Sequence, residues 1–324
     1  MNPLTNPTHS ALASLGLRGA DLLTLGSLTP EQLLGLLNAT RTLKADWRSA
    51  GKPLADKHVA MIFEKPSLRT RVSFEVAVNR LGGSAVSLDT GGTRLGERES
   101  AFDQGKNLER MVDAIVARVY SQAELETLAL AARIPVVNAL SDWHHPCQGL
   151  ADCFTLLERF GHVKGLSIAY IGDGNNVSHS LMEGAALLGA ELRVITPPRC
   201  EPLPEIVTST KALEAKGGGR VTLSHDPAQV AGCAAIYTDT WTSMGQRERV
   251  FQDADARRRA FEPYKVDAKL MARARADAIF MHCLPAHRGV EVTDEVMDSP
   301  ASVVFTQAEN RLHVQTTLLA ALFS

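Results

Sequence analysis

Cysteine is scarce in this 324-residue chain, with five residues at Cys147, Cys153, Cys200, Cys233 and Cys283. An odd, sparse set suits a reducing compartment better than a disulfide framework and points to free thiols. An excess of positive charge is also missing. The 34 Lys and Arg stand against 36 Asp and Glu, for a net charge of −2, which argues against a general nucleic-acid binder. Any anion site must therefore be local. Apolar runs are broken by charge or glycine well short of the roughly 20 residues of a membrane span, so no membrane association is expected. The N-terminus has no basic start followed by an apolar h-region, and Arg18 is the single arginine in its first 25 residues. A cytoplasmic protein is expected. There is no internal repeat and no low-complexity segment except Gly217, Gly218 and Gly219, read as a loop.

What is present is enough for two cores: 45% of residues are apolar, and the length suits two domains at about 150 residues each. Short β-branched runs lie at 58–63, 84–88, 113–119 and 135–140. A second series lies at 167–172, 191–196, 221–224, 233–238, 278–284 and 302–306. Unalternated strands separated by helical stretches belong to parallel sheets covered on both faces. The expected fold class is α/β, with two doubly wound parallel-sheet domains joined by interdomain helices. Thr29 reads as the N-cap of a helix over 30–45, with Pro30 at its first position. Leu150, Cys153, Phe154, Leu157 and Phe160 share one face of a helix over 148–160, placed between the domains. A last helix over 314–323 is expected to pack back on the first domain. The division follows as 1–145 with 311–324, and 146–310.

Chemistry-bearing residues gather at strand ends, where open α/β sheets bind ligands. After Phe63 come Glu64, Lys65, Pro66, Ser67, Leu68, Arg69, Thr70 and Arg71. Pro66 and Ser67 turn the chain into a helix whose free N–H groups suit an anion, and Ser67, Arg69 and Thr70 add side-chain donors. Read locally, this phosphate cradle weighs evenly against a capped helix with surface ion pairs such as Arg71 to Glu75. Arg118 ends an apolar strand, where it either meets an anionic or carbonyl partner or reaches solvent. His144, His145, Pro146, Cys147 and Gln148 lack the further ligands of a tetrahedral zinc site, so no metal is expected. An imidazole and an amide opening a helix suit a polar carbonyl-containing ligand instead.

Gly172, Asp173, Gly174, Asn175 and Asn176 follow another strand, without the third glycine or the later acidic residue of a dinucleotide site. NAD is disfavoured, and the glycines read as a tight turn. The loop at 239–245 (DTWTSMG) could close over a ligand or be ordinary surface. Cys283, at the end of a strand, could be a nucleophile, a thiolate partner or a buried thiol; local sequence favours burial.

Together these segments resemble the aspartate/ornithine carbamoyltransferase family. Ser67-Leu68-Arg69-Thr70-Arg71 is similar to its carbamoyl-phosphate motif S-x-R-T-R, and His145-Pro146-Cys147-Gln148 to its H-P-x-Q. Asp239-Thr240-Trp241-Thr242-Ser243-Met244-Gly245 is similar to the D-x-W-x-S-M-G loop of the ornithine branch, and His282-Cys283-Leu284-Pro285 to its H-C-L-P. The Gly172 to Asn176 and Gln307 to Arg311 segments fit as well, in the right order over nearly the whole chain.

The resemblance implies transfer of a carbamoyl group from carbamoyl phosphate to the δ-amino group of L-ornithine, without cofactor or metal. It implies a carbamoyl-phosphate site of Ser67, Leu68, Arg69, Thr70, Arg118, His145, Gln148, Cys283, Leu284 and Arg311. Ornithine would be held by Asn176, Asp239, Ser243 and Met244, and Cys283, Arg118 and His145 would be catalytic. A homotrimer or higher homo-oligomer is implied, with no nucleic-acid or membrane partner. Two alternatives stay open, a paralogue with another amine acceptor and a catalytically silent ligand-binding homologue. The chain departs from the family where members commonly have Gln-Leu-x-x-Gly-Glu and then D-T-A-R: it reads Arg94, Leu95, Gly96, Glu97, Arg98, Glu99, then Asp103, Gln104, Gly105, Lys106.

Overall fold

The computed structural model describes residues 7–89, 93–241, 251 and 253–324. The chain divides into two compact units, Met1–Phe154 with Glu309–Ser324, and Thr155–Ala308. In the first unit, α1 (Pro7–Ala13) and α2 (Pro30–Ala45) precede β1 (His58–Phe63), α3 (Leu68–Arg80), β2 (Ser84–Asp89), α4 (Ala101–Leu108), β3 (Ala114–Arg118), α5 (Gln122–Ala131) and β4 (Val136–Leu140). The boundary falls within α6 (Pro146–Phe160). The second unit holds β5 (Ser167–Ile171), α7 (Asn176–Leu188), β6 (Glu191–Ile195), α8 (Pro204–Gly217), β7 (Arg220–Ser224) and β8 (Ala235–Thr238). It continues through α9 (Ala254–Phe261), α10 (Ala268–Met271), β9 (Ile279–His282), α11 (Asp294–Met297) and the start of α12 (Val304–Phe323). From Glu309 onward α12 belongs to the first unit.

Both sheets are wholly parallel, in the orders β2-β1-β3-β4 and β7-β6-β5-β8-β9. This is the doubly wound α/β class. Strands β4, β5, β8 and β9 are buried almost throughout, which explains why their sequences run apolar without alternation. One core cluster packs Ala60, Ile62, Ile115, Ala117, Leu125 and Leu128. Another packs Ala169, Ile171, Ile236, Phe280, Val292 and Val296. In each sheet the chain reverses its direction of winding once, between β1 and β3 in the first unit and between β5 and β8 in the second. Adjacent strands there send their following loops apart, leaving a crevice at their carboxyl ends.

The expected strand at 302–306 does not form. Ser302 makes a single parallel bridge to Phe280, the Val303 N–H reaches the Phe280 carbonyl at 3.0 Å, and Val304 already opens α12. One bridge satisfies the β9 edge, after which the chain closes helical hydrogen bonds despite its β-branched run. The last helix accordingly begins ten residues before the expected 314. Thr29 caps α2 as expected, and does so reciprocally: Thr29 Oγ1 accepts from the Gln32 N–H at 3.1 Å while Gln32 Oε1 accepts from the Thr29 N–H at 3.0 Å. The glycine run expected as a loop is more constrained than that. Gly217 ends α8, Gly218 caps it at φ +75°, and a Cβ on Gly219 would lie 2.4 Å from the Ala185 carbonyl oxygen, so the absence of side chains lets α8 and α7 approach. Among the described residues, no helix is long and apolar enough to cross a membrane.

Candidate active site

In the first unit the β1–β3 crevice collects cations. Ser67 caps α3, accepting from the Thr70 N–H at 3.4 Å, so a capped helix start and an anion-facing turn coexist. Thr70 is 1% exposed, and its Oγ1 accepts from Arg311 Nη2 at 3.1 Å. The same guanidinium donates through Nη1 to Gln148 Oε1 at 2.8 Å, and Gln148 passes the chain on to Asp152 Oδ1 at 2.8 Å. Turned to satisfy its neighbours, the Gln315 amide accepts from Arg311 Nε and Nη2 at 3.3 and 3.2 Å and donates to Ser73 Oγ at 2.6 Å. Arg311 is thus held almost without solvent by a network joining α3, α6 and α12.

His145 is buried beside this network. Burial, and then the guanidinium charges of Arg311, Arg118 and Arg69, hold its imidazole well below the usual value of 6.5. It is a neutral ring among three cations, suited to polarising an uncharged carbonyl while the guanidinium groups meet an anion. Arg118 reaches this place because β3 shifts register against β4 between Ala117 and Arg118, an irregularity of the kind that re-aims a side chain. Cys147 has no ligand role here. Its thiol donates to the Asn138 carbonyl at 3.4 Å, and burial pushes it up to about 12. Leu68 is exposed. Arg71 lies over the Phe63 ring at 5.1 Å, a contact the sequence did not indicate.

Glu64 was not singled out from sequence, yet it ties the crevice together. Its carboxylate accepts from the Tyr120 N–H at 2.6 Å and from the Leu95 N–H, joining the ends of β1 and β3 to the turn that carries Arg94. Arg94 and Lys65 both lie over the Tyr120 ring, at 4.5 and 3.9 Å.

In the second unit the β5–β8 crevice holds a carboxylate and a thiol. Asn175 caps α7, its Oδ1 accepting from the Val177 and Ser178 N–H groups at 3.0 and 3.2 Å and from the Tyr170 hydroxyl at 3.2 Å. Its Nδ2 donates to Asp239 Oδ2 at 2.7 Å. Asp239 Oδ1 accepts from the Cys283 thiol at 2.9 Å and from the Thr240 N–H at 2.7 Å. Cys283 is half-buried, not fully buried as local sequence favours, and its sulfur lies against the Asp239 carboxylate. Burial first, then the charges of Asp239 and Asp173 and the neighbouring Cys283, push the Tyr170 phenol well above 10 and keep it a hydrogen-bond donor. Asn176 is buried at the first position of α7. Arg257 pairs with Asp173 at 3.1 Å and donates through Nε to the Trp241 carbonyl at 2.6 Å. Ser243 and Met244, expected at the ornithine site, lie outside the described residues.

Asp239, His282 and Cys283 place one potential metal-ligand atom each within 4.8 Å of one another. Their atoms are engaged with one another and with backbone, the thiol on Asp239 and His282 Nδ1 on the Leu284 N–H at 2.9 Å. Of the residues sequence reading missed, Gln315 follows Arg311 by four positions on one helix, a signal legible once α12 is assigned. Asn175 carries the N-cap pattern before α7.

The geometry has counterparts among known proteins. Residues 20–158 match the carbamoyl-P binding domain of the aspartate/ornithine carbamoyltransferases, and residues 164–322 match their Asp/Orn binding domain. An ornithine carbamoyltransferase of Pyrococcus abyssi is 48% identical over 312 residues, covering 95% of this chain and 97% of the relative. One from Shewanella oneidensis is 48% identical over 302 residues, covering 93% and 99%. The solved ornithine carbamoyltransferase of Pyrococcus furiosus superposes with a TM-score of 0.88 at 47% identity, covering 95% of this chain and 98% of that one. With both of its units matched in order, the chain belongs to the aspartate/ornithine carbamoyltransferase family.

Proposed function

We propose that the protein is an enzyme transferring the carbamoyl group of carbamoyl phosphate to the δ-amino group of L-ornithine, giving L-citrulline and phosphate. The observation that carries this reading is the buried His145, held well below its usual value by burial and by the charges of Arg311, Arg118 and Arg69, together with the Arg311 guanidinium fixed on Thr70 and Gln148. A dianionic phosphate next to an uncharged carbonyl is the ligand such a set complements. In this reading Met1–Phe154 with Glu309–Ser324 binds carbamoyl phosphate, and Thr155–Ala308 binds ornithine.

Ser67, Leu68, Arg69 and Thr70 at the start of α3, with Arg118, receive the phosphate. His145 and Gln148 face the carbamoyl group, and Arg311 braces Thr70 and Gln148. Asn176, Asp239, Ser243 and Met244 hold ornithine. Cys283 and Leu284 stand where its side-chain amine reacts. The neutral δ-amine attacks the carbonyl carbon, the carbonyl oxygen becomes an oxyanion, and the bond from carbon to the phosphate oxygen then breaks, the electron pair leaving with phosphate. Donors fixed in place before the reaction stabilise both charges. The amine must first lose a proton, and the carboxylate of Asp239, already in hydrogen-bond contact with the Cys283 thiol, supplies a local acceptor for it.

The family resemblance supports a homotrimer. Five cysteines without a disulfide and the lack of a membrane-crossing helix among the described residues support a cytoplasmic location. A citrulline assay with a panel of amine acceptors tests the activity. The expected result is product with ornithine and carbamoyl phosphate, and little with putrescine or an N-acylated ornithine. Thermal stabilisation by both substrates without citrulline formation would establish a silent binding homologue instead.

A further inference from the structure

Beyond β9 lies a ring of polar neighbours, of which His282, His287, Glu291 and Gln307 have no part in the proposed chemistry. His282 is fully buried. Its N–H donates to Gln307 Oε1 at 2.9 Å, and its Nδ1 accepts from the Leu284 N–H at 2.9 Å. An imidazole nitrogen that accepts carries no proton, so the ring's proton sits on Nε2. That nitrogen lies 3.4 Å from Glu291 Oε1, close enough for the carboxylate charge to act on it but out of line for a hydrogen bond. Glu291 is also fully buried, with the imidazoles of His282 and His287 at 3.4 and 3.7 Å from its carboxylate oxygens. The His287 N–H donates to the same Oε1. His287 Nδ1 lies 2.9 Å from Thr240 Oγ1, the Thr240 N–H donates to Asp239, and Asp239 accepts from Cys283. The ring closes through Leu284, which holds φ at +59°, a region that a residue bearing Cβ enters only when its surroundings hold it there.

We propose that Glu291 is a positioning residue for carbamoyl transfer. Its carboxylate, 3.4 Å from His282 Nε2, favours the ring proton on that nitrogen by its charge, which leaves Nδ1 bare toward the Leu284 N–H and holds the turn carrying Cys283 and Leu284. With the other tautomer, two N–H groups would oppose each other and the turn would be released. The proposal rests on the carbamoyltransferase reading.

The test uses the full chain with Glu291→Gln and Glu291→Ala. Both contacts converge on one oxygen, so Glu291→Gln keeps an acceptor there and is expected to hold kcat within about threefold. Glu291→Ala is expected to lower kcat by about 100-fold through misplacement of the turn, with KM for carbamoyl phosphate changed far less than kcat. In protein labelled with ¹⁵N-histidine, wild-type His282 should show a bare Nδ1 and a protonated Nε2, and Glu291→Ala should lose that signature. Equal impairment by Gln and Ala, wild-type turnover in Ala, or a protonated Nδ1 in the wild type would each overturn the proposal. Should Glu291→Ala fail to fold, His282→Asn replaces it: its amide oxygen can still accept from Leu284, and adding Glu291→Gln should then change nothing further, whereas an added loss would count against the coupling. A wild-type protein that makes no citrulline defeats the carbamoyltransferase reading, while the tautomer signal still reports on Glu291.

Discussion

Burial and charge act in the same direction at His145. Its folded-state pKa lies well below 6.5, while the unfolded chain titrates near that value. Unfolding therefore takes up a proton as pH falls through 6.5, so the stability that neutral His145 supports is present above that pH and is lost below it. The slope reaches up to about 1.4 kcal/mol per pH unit for this group. In thermal melts over that range, His145→Asn should lose less stability on acidification than the wild type. Arg311 makes the complementary case. Arg311→Met keeps the apolar stem but removes the donors to Thr70 and Gln148, a loss of about 1.5–3 kcal/mol for charged hydrogen bonds. Steady-state kinetics should show KM for carbamoyl phosphate raised by about ten- to a hundredfold, with KM for ornithine little changed. At this scale the sequence displays residue types well and partners poorly. Arg69, Thr70 and His145 stood out because donors clustered at strand ends. That Cys283 would donate to Asp239, or Arg71 cover Phe63, depends on side-chain directions that spacing does not encode.

Elements whose ends carry their own signals were legible. Thr29 and Pro30 mark α2 without help from the rest of the molecule, and Thr29→Ala should lower stability by about 1 kcal/mol, read as an earlier urea midpoint with activity retained. Asn175 caps α7 and steadies Asp239 with one amide. Asn175→Ala should accordingly lower the melting temperature and raise KM for ornithine, whereas Asn175→Asp should restore the cap but set a second carboxylate against Asp239, keeping the kinetic defect. That separation between stability and kinetics checks the double role. The element misread, 302–306, shows the converse. Its β-branched run matches a strand by composition, but the edge of β9 accepts only one bridge before α12 begins. Sheet length is decided by available partners, which a local window cannot see.

For the whole molecule, the proposed division of carbamoyl phosphate and ornithine between the two units makes a spatial prediction. Hydrogen exchange with carbamoyl phosphate alone should slow amides at the ends of β1 and β3 and the start of α3, leaving the ends of β5 and β8 unaffected. Protection spread evenly over both units would contradict the assignment. Sedimentation should give a particle of three chain masses if the homotrimer reading holds. Two doubly wound sheets were legible because each strand is buried on both faces and so reads as a short, unbroken apolar run between helices. The placement of ligand chemistry at strand ends was legible for the same reason. Only tertiary structure decided the order of strands, and with it which loops share a crevice. It alone brought Arg311, from a helix near the far end of the chain, onto Thr70 and Gln148, and closed a ring from Glu291 to Cys283. Local backbone preferences are written in neighbouring residues, whereas a buried charge finds its partners through long-range packing, where position in the sequence says nothing about distance.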